Sequence, residues 1–227
     1  MKAGSMALAL LGAGLLFAGG MLAFAYLRFS DTGPDLAKEA RDDLDSRGYK
    51  PLSGTLGALL NDASVASIPT QADPLLNRPA PDFTLDDTDG KTWPLQTALE
   101  AGPVVVVFYY GYHCNHCVSQ LFALDKDLER FRDLGATVVA ISADEPVLTR
   151  ERFKKYGAFH FPVLSDPGYK IAEAYGTFAP SKKEGEDGNQ LHGTFVLDRH
   201  GKVVWANRGE GPFTHNLTLL REIQRVR

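Results

Sequence analysis

Cysteine is scarce in this chain, which contains only Cys114 and Cys117. Two cysteines cannot build a disulfide-rich scaffold, so we expect a hydrophobic core to hold the fold together. The composition agrees, since 44% of the residues are hydrophobic and 23% are charged, as in ordinary globular domains. Because the two cysteines are only three positions apart, they can form one local bridge.

Blocks of Lys or Arg are also absent, and so are internal repeats. The formal net charge is −4, and without a basic face the sequence predicts no nucleic-acid partner. A chain of 227 residues has room for one domain of ordinary size with additional segments.

Charge is missing altogether from Ala3 to Leu27, a stretch bounded by Lys2 and Arg28. A helix of this length can cross a hydrocarbon core of roughly 30 Å. We therefore predict that residues 1–29 form a signal anchor or transmembrane helix. A signal peptide cleaved after Ala25 is the alternative, although the apolar stretch is longer than such peptides normally carry.

The side of the membrane on which the rest of the chain lies follows less directly from the charges. We expect the domain on the extracytoplasmic side, because long domains translocate largely regardless of flanking charges. The positive-inside rule favours the cytoplasmic side instead, since four basic residues follow the apolar stretch: Arg28, Lys38, Arg41 and Arg47.

Residues 30–78 are predicted to be a juxtamembrane helix followed by a linker. Within residues 31–48, apolar residues recur at four-residue spacing and Gly48 is suited to end a helix, which we expect to be solvated. Residues 49–80 mix Pro, Ser, Gly, Asn and Thr with short apolar patches, a composition typical of a linker that can lie on the domain.

From residue 79 onwards the pattern changes to alternating strands and helices. Asp89-Gly90 and His200-Gly201 mark two hairpins, and Val104–Tyr109 is a continuous β-branched and aromatic run typical of a strand buried on both faces. Helical periodicity follows the cysteines, predicting one helix that Gly135 ends, and it returns at residues 214–226. The order hairpin, β-α-β-α-β-α, hairpin, α predicts, for residues 79–227, a central, partly parallel sheet with helices on both faces.

The two cysteines lie where a buried strand gives way to a helix. At positions i and i+3 of the first helical turn, Cys114 and Cys117 share one face and are close enough for a disulfide after a small adjustment. Unpaired N–H groups and the partial positive charge at the helix N-terminus stabilise a thiolate, the reactive form of cysteine. His113 and His116 flank the pair and are predicted to tune the pKa of its thiols. We predict that the cysteines are a catalytic, redox-active pair.

Other roles for the pair are weighed against this one. A c-type haem requires His directly after the second cysteine, but Val118 stands there, so that role is excluded. A structural zinc ion needs four ligands, and the two cysteines with one flanking histidine supply three. Two inert buried thiols remain an alternative.

Four segments in order, from Pro81 to about Arg208, resemble the peroxiredoxin-like AhpC/TSA, or redoxin, group of the thioredoxin-like superfamily. They are "APDFTLDDTDGKTWPL", "VVVVFYYGYHCNHCVSQLFAL", "TVVAISADEPVLTRERFKKYGAFHFPVLSDPGYKIAEAYG" and "GTFVLDRHGKVVW". The resemblance implies a thioredoxin-like α/β fold with a central mixed sheet, and a thiol-dependent oxidoreductase that reduces disulfides or peroxides. It also implies a dithiol protein as reductant and no cofactor.

The sequence departs from that group at positions that bear on activity. In the peroxiredoxin register Cys117 takes the place of the peroxide-attacking cysteine, Cys114 replaces a Thr, and Tyr110 replaces a Pro. The Arg expected before the "TF" strand is replaced by His192-Gly193, so the usual peroxide-activating set is incomplete. In the thioredoxin register, Cys114 is the attacking thiol and Cys117 the resolving one.

His192 opens a different possibility, a Sco-like copper metallochaperone. Sco-type proteins of the same fold use a cysteine pair and a histidine shortly before the equivalent strand, and such soft ligands suit copper(I). On that resemblance the copper ligands would be Cys114, Cys117 and His192. A non-catalytic redox sensor is a third possibility that the sequence leaves open.

Overall fold

The computed structural model describes residues 35–111, 114–183 and 188–227. Within them the helices are α1 (Leu36–Ser46), α2 (Leu56–Leu60), α3 (Leu95–Ala101), α4 (Asn115–Lys126), α5 (Leu128–Asp133), α6 (Pro146–Tyr156), α7 (Lys170–Ala174) and α8 (Asn216–Val226). The strands are β1 (Thr84–Asp87), β2 (Thr92–Pro94), β3 (Val104–Phe108), β4 (Thr137–Ser142), β5 (Val163–Ser165), β6 (Phe178–Ala179), β7 (Asn189–Gln190), β8 (His192–Leu197) and β9 (Val203–Gly209).

A mixed seven-stranded sheet runs through the described part of the chain in the order β2-β1-β5-β4-β3-β8-β9. Its centre is parallel, with β3 beside β4 and β4 beside β5, whereas β8 and β1 join antiparallel at either side. The predicted hairpins β1-β2 and β8-β9 are confirmed. A second, two-stranded sheet formed by β6 and β7 is not foreseen by the sequence pattern.

Strand β3 is buried on both of its faces, as predicted. Val105 and Val107 point into one core cluster, whereas Val104, Val106 and Phe108 point into another. The first cluster includes residues of α1, α4, α5 and α8, and the second includes residues of α3 and α7. The alternation along β3 therefore places helices on both faces of the sheet and confirms the predicted fold class.

The helix that follows the cysteines is interrupted, whereas the sequence predicts one helix as far as Gly135. Asp127 ends α4 and precedes α5, with φ of −104° and ψ of 6°, outside regular helical geometry. The apolar spacing continues across the break, because Leu128 and Phe131 still face the same core cluster as α4. Periodicity alone therefore does not reveal the break.

The side chain of Asp127 is only 2% exposed and gathers donors from distant parts of the chain. The hydroxyl of Tyr49 donates to it at 2.6 Å, the backbone N–H of Leu52 at 2.8 Å, and the side-chain amide of Asn216 at 2.8 Å. Burial, followed by the contact with Asp127, raises the pKa of Tyr49 well above its ordinary value, so this hydroxyl keeps its proton and donates. The buried carboxylate thus joins α4, α8 and the segment after α1.

Helix α1 packs on the domain, so the expectation that this helix is solvated is wrong; its predicted place next to a membrane stays a prediction. Ala37, Ala40 and Leu44 are 2%, 0% and 0% exposed, and α1 lies against α4. Their spacing of i, i+3 and i+7 forms an apolar stripe that needs a partner surface, which α4 supplies. The predicted end of the helix is confirmed, since Gly48 follows it with φ of +69°.

Residues 49–78, predicted as a linker, are hydrogen-bonded along the domain. The backbone N–H of Gln71 donates to the carbonyl of Ala206 at 3.0 Å, and the indole N–H of Trp205 donates to the carbonyl of Ile68 at 3.1 Å. The chain from Leu36 to Arg227 accordingly forms one compact unit.

The predicted anchor at residues 1–29 lies outside the described residues, as do residues 184–187 of the loop before β7. Among the helices of the three described ranges, none combines the length and the apolar character that crossing a membrane requires. Membrane anchoring therefore stays a prediction.

Removing the buried side chain that docks α1 is expected to destabilise the fold. Leu44→Ala should lower the free energy of unfolding by about 2–5 kcal/mol, the range for a fully buried leucine. Leu148→Ala in α6 is the matched control, because Leu148 is 40% exposed, and should change it by less than about 0.5 kcal/mol. Urea unfolding followed by Trp fluorescence measures both, and equal values for the two variants would show that α1 is not docked in solution.

Candidate active site

The two cysteines lie at the junction between β3 and α4 and are joined by a disulfide, with 5.3 Å between their Cα atoms. Cys114 is the N-cap residue of α4, and its sulfur accepts the backbone N–H of Cys117 at 3.3 Å. The predicted pairing in the first helical turn is therefore present in the structure. The short connection from the buried β3 holds it at the carboxyl end of the parallel strands.

The two sulfurs differ in accessibility. Cys117 is 0% exposed and belongs to the core cluster that includes Tyr109, whereas Cys114 is partly exposed and packs at the edge of that cluster. A large partner can therefore approach Cys114 but not Cys117 in this oxidised form.

His116, between the cysteines, is held by a helix that precedes the predicted domain. Its Nδ1 lies 2.5 Å from a guanidinium nitrogen of Arg47 and 3.2 Å from a carboxylate oxygen of Asp43. Asp43 lies in the last turn of α1, Arg47 directly follows this helix, and Arg47 donates to Asp43 at 2.8 Å. His113, the other predicted tuning residue, lies outside the described residues.

His192 also lies in the site, at the start of β8 and beside Tyr110. The two rings are stacked with centroids 4.6 Å apart, and the ring of His116 stands edge-on to His192 at 6.1 Å. His192 is 2% exposed, and neither of its ring nitrogens has a hydrogen-bond partner among the described residues. Burial lowers the pKa of His192 to about 4, against the nearby backbone of Glu210, which acts to raise it, and with smaller lowering effects from His116 and Arg47, so this imidazole is neutral at pH 7.

Gly111 occupies a position in the loop before the cysteines where a side chain does not fit. Its φ is +100°, and a Cβ atom there would lie 2.6 Å from a carboxylate oxygen of Asp144. Asp144 follows β4, so the carboxylate brings the end of that strand against the loop that carries the cysteines.

A buried amide connects the cysteine helix to the strand of His192. Gln120, 0% exposed, donates to the hydroxyl of Thr194 at 2.8 Å and accepts the backbone N–H of Phe213 at 3.2 Å. This contact holds one turn of α4 beside β8 and the segment before α8. Cys117 and His192 therefore lie on elements that are tied to each other.

Sequence reasoning missed Asp43 and Arg47 as site residues, because it predicted their helix to be solvated. The signal that could have found them is the apolar stripe of α1, which places its charged end near α4 once the stripe is buried.

The copper alternative receives no further support from the arrangement of possible metal ligands. Within the described ranges, no group of three or more His, Cys, Asp or Glu side chains is arranged to hold a metal ion.

Residues 76–206 match the model of the AhpC/TSA family. Chloroplastic peroxiredoxin Q from Populus jackii is 40% identical over 124 residues, which cover 54% of this chain and 55% of that protein. Thiol-disulfide oxidoreductase ResA from Halalkalibacterium halodurans is 28% identical over 130 residues, 57% of this chain and 66% of that protein. The chain spans about half the length of the curated peroxiredoxin Q relatives that it matches.

Solved structures agree with these matches. Peroxidoxin BcpB from Mycobacterium tuberculosis superposes with a TM-score of 0.60 and 25% identity, covering 67% of this chain and 97% of that one. Peroxiredoxin Q from Xanthomonas campestris gives a TM-score of 0.55 at 23% identity, covering 63% and 90%, a likeness of fold alone. The family match begins at residue 76, near the predicted start of the domain at residue 79.

The neutral state of His192 can be tested by titration. Because the pKa in the folded protein is lowered from 6.5 to about 4, the unfolded chain takes up a proton between these values that the folded protein does not. The contribution of His192 to stability is therefore complete above pH 6.5 and is lost, by roughly 3 kcal/mol in all, as the pH falls to 4. NMR titration of its ring, assigned with His192→Asn, should give a midpoint near 4, whereas a midpoint near 6.5 contradicts the buried placement.

At Gly111, the destabilisation that a side chain would cause by meeting Asp144 can be measured separately from the destabilisation caused by the positive φ. Gly54 has nearly the same φ, +103°, but open space around the position of a Cβ atom. Alanine should cost about 1 kcal/mol at either position because of φ, and Gly111→Ala should cost at least about 1 kcal/mol more because of Asp144. Equal free energies of unfolding for the two variants would mean that the carboxylate simply moves aside.

Proposed function

This chain belongs to the AhpC/TSA family, and from that premise we propose that it is a thiol-dependent oxidoreductase that uses Cys114 and Cys117 as a redox-active dithiol. The observation that carries the proposal is the disulfide at the N-terminus of α4, with one sulfur accessible and the other buried. Helix N–H groups at this position favour the thiolate form once the pair is reduced.

Reduction of a disulfide substrate is the reaction that this geometry supports best. The Cys114 thiolate attacks one substrate sulfur, so a mixed disulfide forms and the other substrate sulfur leaves as a thiolate. Cys117 then loses its proton and attacks the Cys114 sulfur, which restores the bridge and releases the second substrate thiolate. The substrate gains two electrons and the dithiol loses them, and the released thiolates take up protons from the solvent according to their pKa values.

Peroxide reduction is the second candidate, and it is supported by the peroxiredoxin names of several relatives. Here the Cys117 thiolate attacks a peroxide oxygen, the O–O bond breaks, and a sulfenic acid and water or an alcohol form. Cys114 then condenses with the sulfenic acid and releases water. The burial of Cys117 limits this route to small peroxides and to a form of the site that is open to them.

Either route leaves the cysteines oxidised, so the proposal requires a reducing partner. A protein dithiol fits this role, because it regenerates the pair by the same exchange chemistry in reverse. The proposal also includes the membrane anchor at residues 1–29, with the redox domain on the extracytoplasmic side. The uncharged stretch Ala3–Leu27 supports this part of the proposal.

Copper delivery is the alternative from another class, with Cys114, Cys117 and His192 as ligands. One observation favours it, because His192 is buried and both of its ring nitrogens lack partners. The chemistry of two thiolates and an imidazole suits copper(I). His192→Ala discriminates the two, since a metallochaperone would lose copper retention, whereas an oxidoreductase would keep most of its activity.

Single cysteine variants test the proposed order of attack. With the reduced full chain and a model disulfide, Cys114→Ser should reduce exchange to the uncatalysed rate, because the accessible nucleophile is gone. Cys117→Ser should instead accumulate the mixed disulfide on Cys114, since no thiol remains to resolve it. Thiol loss by stopped flow and intact mass spectrometry provide the measurements.

The same reduced protein, mixed with hydrogen peroxide, separates the two substrate classes. Rapid thiol loss with the disulfide and slow loss with peroxide would support disulfide reduction, and the reverse would support a peroxidase. Inertness of the wild-type protein to both would overturn the oxidoreductase proposal and favour copper.

A further inference from the structure

Helix α1 lies outside the residues that match the family model, yet its charged end contacts the histidine between the cysteines. The family match begins at residue 76, whereas Asp43 and Arg47 precede it by about thirty residues. Arg47 reaches Nδ1 of His116 at 2.5 Å and Nε2 at 3.2 Å. This chain therefore adds an arginine to the site from outside the family domain.

The position of Arg47 is held from several sides. Its Nε donates to Asp43 at 2.8 Å, one helical turn earlier, and the two side chains are only 32% and 23% exposed. Burial, the largest influence, acts to raise the pKa of Asp43, but hydrogen bonds, first of all from Arg47, hold it below the ordinary value. Asp43 thus remains ionised at neutral pH and keeps the guanidinium in place.

The backbone that carries this pair is fixed as well. The apolar stripe of α1 is buried against α4, and the chain turns at Gly48 into Tyr49, whose hydroxyl is bound by Asp127. The positive charge of Arg47 also acts on His192. After burial, it is one of the smaller causes that lower the pKa of this histidine. A fixed cation therefore acts on the space around the disulfide.

Charged and titratable groups from several elements lie around His116, His192 and the loop before the cysteines. Among the described residues they are Asp43 of α1, Arg47 directly after α1, His116 of α4, Tyr110 after β3, Asp144 after β4, His192 of β8 and Glu210 after β9. His192 is neutral near pH 7, so it adds no positive charge there. Arg47 is the member of this set whose positive charge does not depend on pH.

We propose that Arg47 is a positioning residue that orients His116 and, through its fixed charge, favours the thiolate form of the reduced dithiol. This inference rests on the proposed function and assigns part of the activation of its nucleophile to helix α1. A positive charge stabilises the thiolate over the thiol, so Arg47 raises the thiolate fraction at a given pH. Because the reduced state is stabilised, Arg47 also makes the pair more oxidising.

The test uses the reduced full chain and the rate at which iodoacetamide alkylates it across pH. Arg47→Gln should slow alkylation at pH 6 by about three- to tenfold, because the thiolate fraction falls. At pH 10, where the thiol is ionised in every variant, the rates should agree. Arg47→Lys should recover most of the rate at pH 6, since it keeps the charge. Lys38→Gln is the matched control, because it removes the same charge from an exposed position of the same helix and should change nothing.

Two further readouts separate an electrostatic role from a structural one. The difference between wild type and Arg47→Gln should shrink in 1 M salt, which screens charges over roughly 3 Å. In equilibrium with glutathione, the protein disulfide and two molecules of reduced glutathione give the protein dithiol and one glutathione disulfide. The disulfide of Arg47→Gln should be a weaker oxidant in this equilibrium than that of the wild type. A rate loss that is equal at pH 6 and pH 10 and insensitive to salt would overturn the inference.

The outcome for the wild-type protein is read separately. If its own alkylation shows no thiol that ionises below about pH 8, the activated-dithiol proposal itself fails. If the wild type is activated and Arg47→Gln matches it at every pH, only the role of Arg47 is refuted.

Discussion

The burial of β3 on both faces is the constraint on which the site depends. Its residues pack alternately into two separate core clusters, and its edges pair with β4 on one side and β8 on the other. The strand therefore cannot shift without disturbing both layers, and its carboxyl end is a fixed point. The loop from Tyr109 to Cys114 starts at that point, so the first turn of α4 and its two sulfurs have a defined place.

Neighbouring strands add the other groups of the site at the same end of the sheet. Parallel β4 leads to Asp144 beside Gly111, and antiparallel β8 begins at His192, so strands of opposite direction contribute to one edge. The side-chain amide of Gln120 binds Thr194 and so fixes the position of α4 relative to β8. The sheet topology thus brings the reactive groups of the site together, whereas the positive charge beside His116 comes from Arg47, which directly follows α1.

Much of this fold follows from local sequence patterns. The all-apolar β3, the hairpin turns at Asp89-Gly90 and His200-Gly201, and the glycine after α1 each carry a signal that acts over a few residues. The cysteine pair was equally accessible to prediction, because strand-to-helix junctions place i and i+3 residues on one face. These features depend on the backbone geometry and the apolar pattern of a few neighbouring residues, so the sequence alone predicts them.

The features that the sequence did not reveal depend on contacts over long separations. Whether the apolar stripe of α1 is solvated or buried is decided by α4, and the break at Asp127 is associated with donors from Tyr49 and Asn216. The stacking of His192 on Tyr110 likewise requires two strands to be adjacent. No local rule encodes such partners, because each of these contacts joins residues that are far apart in the sequence.

The buried carboxylate of Asp127 has a consequence for how this protein can be divided. Two of its donors, the hydroxyl of Tyr49 and the N–H of Leu52, belong to the segment that precedes the family match, and only the amide of Asn216 lies after it. Trimming the chain to the family boundary would remove two donors from an anion that water cannot easily reach. The shortest unit that keeps the hydrogen bonds of this carboxylate and the packing of α1 on α4 therefore begins at α1, well before the first residue of the family match.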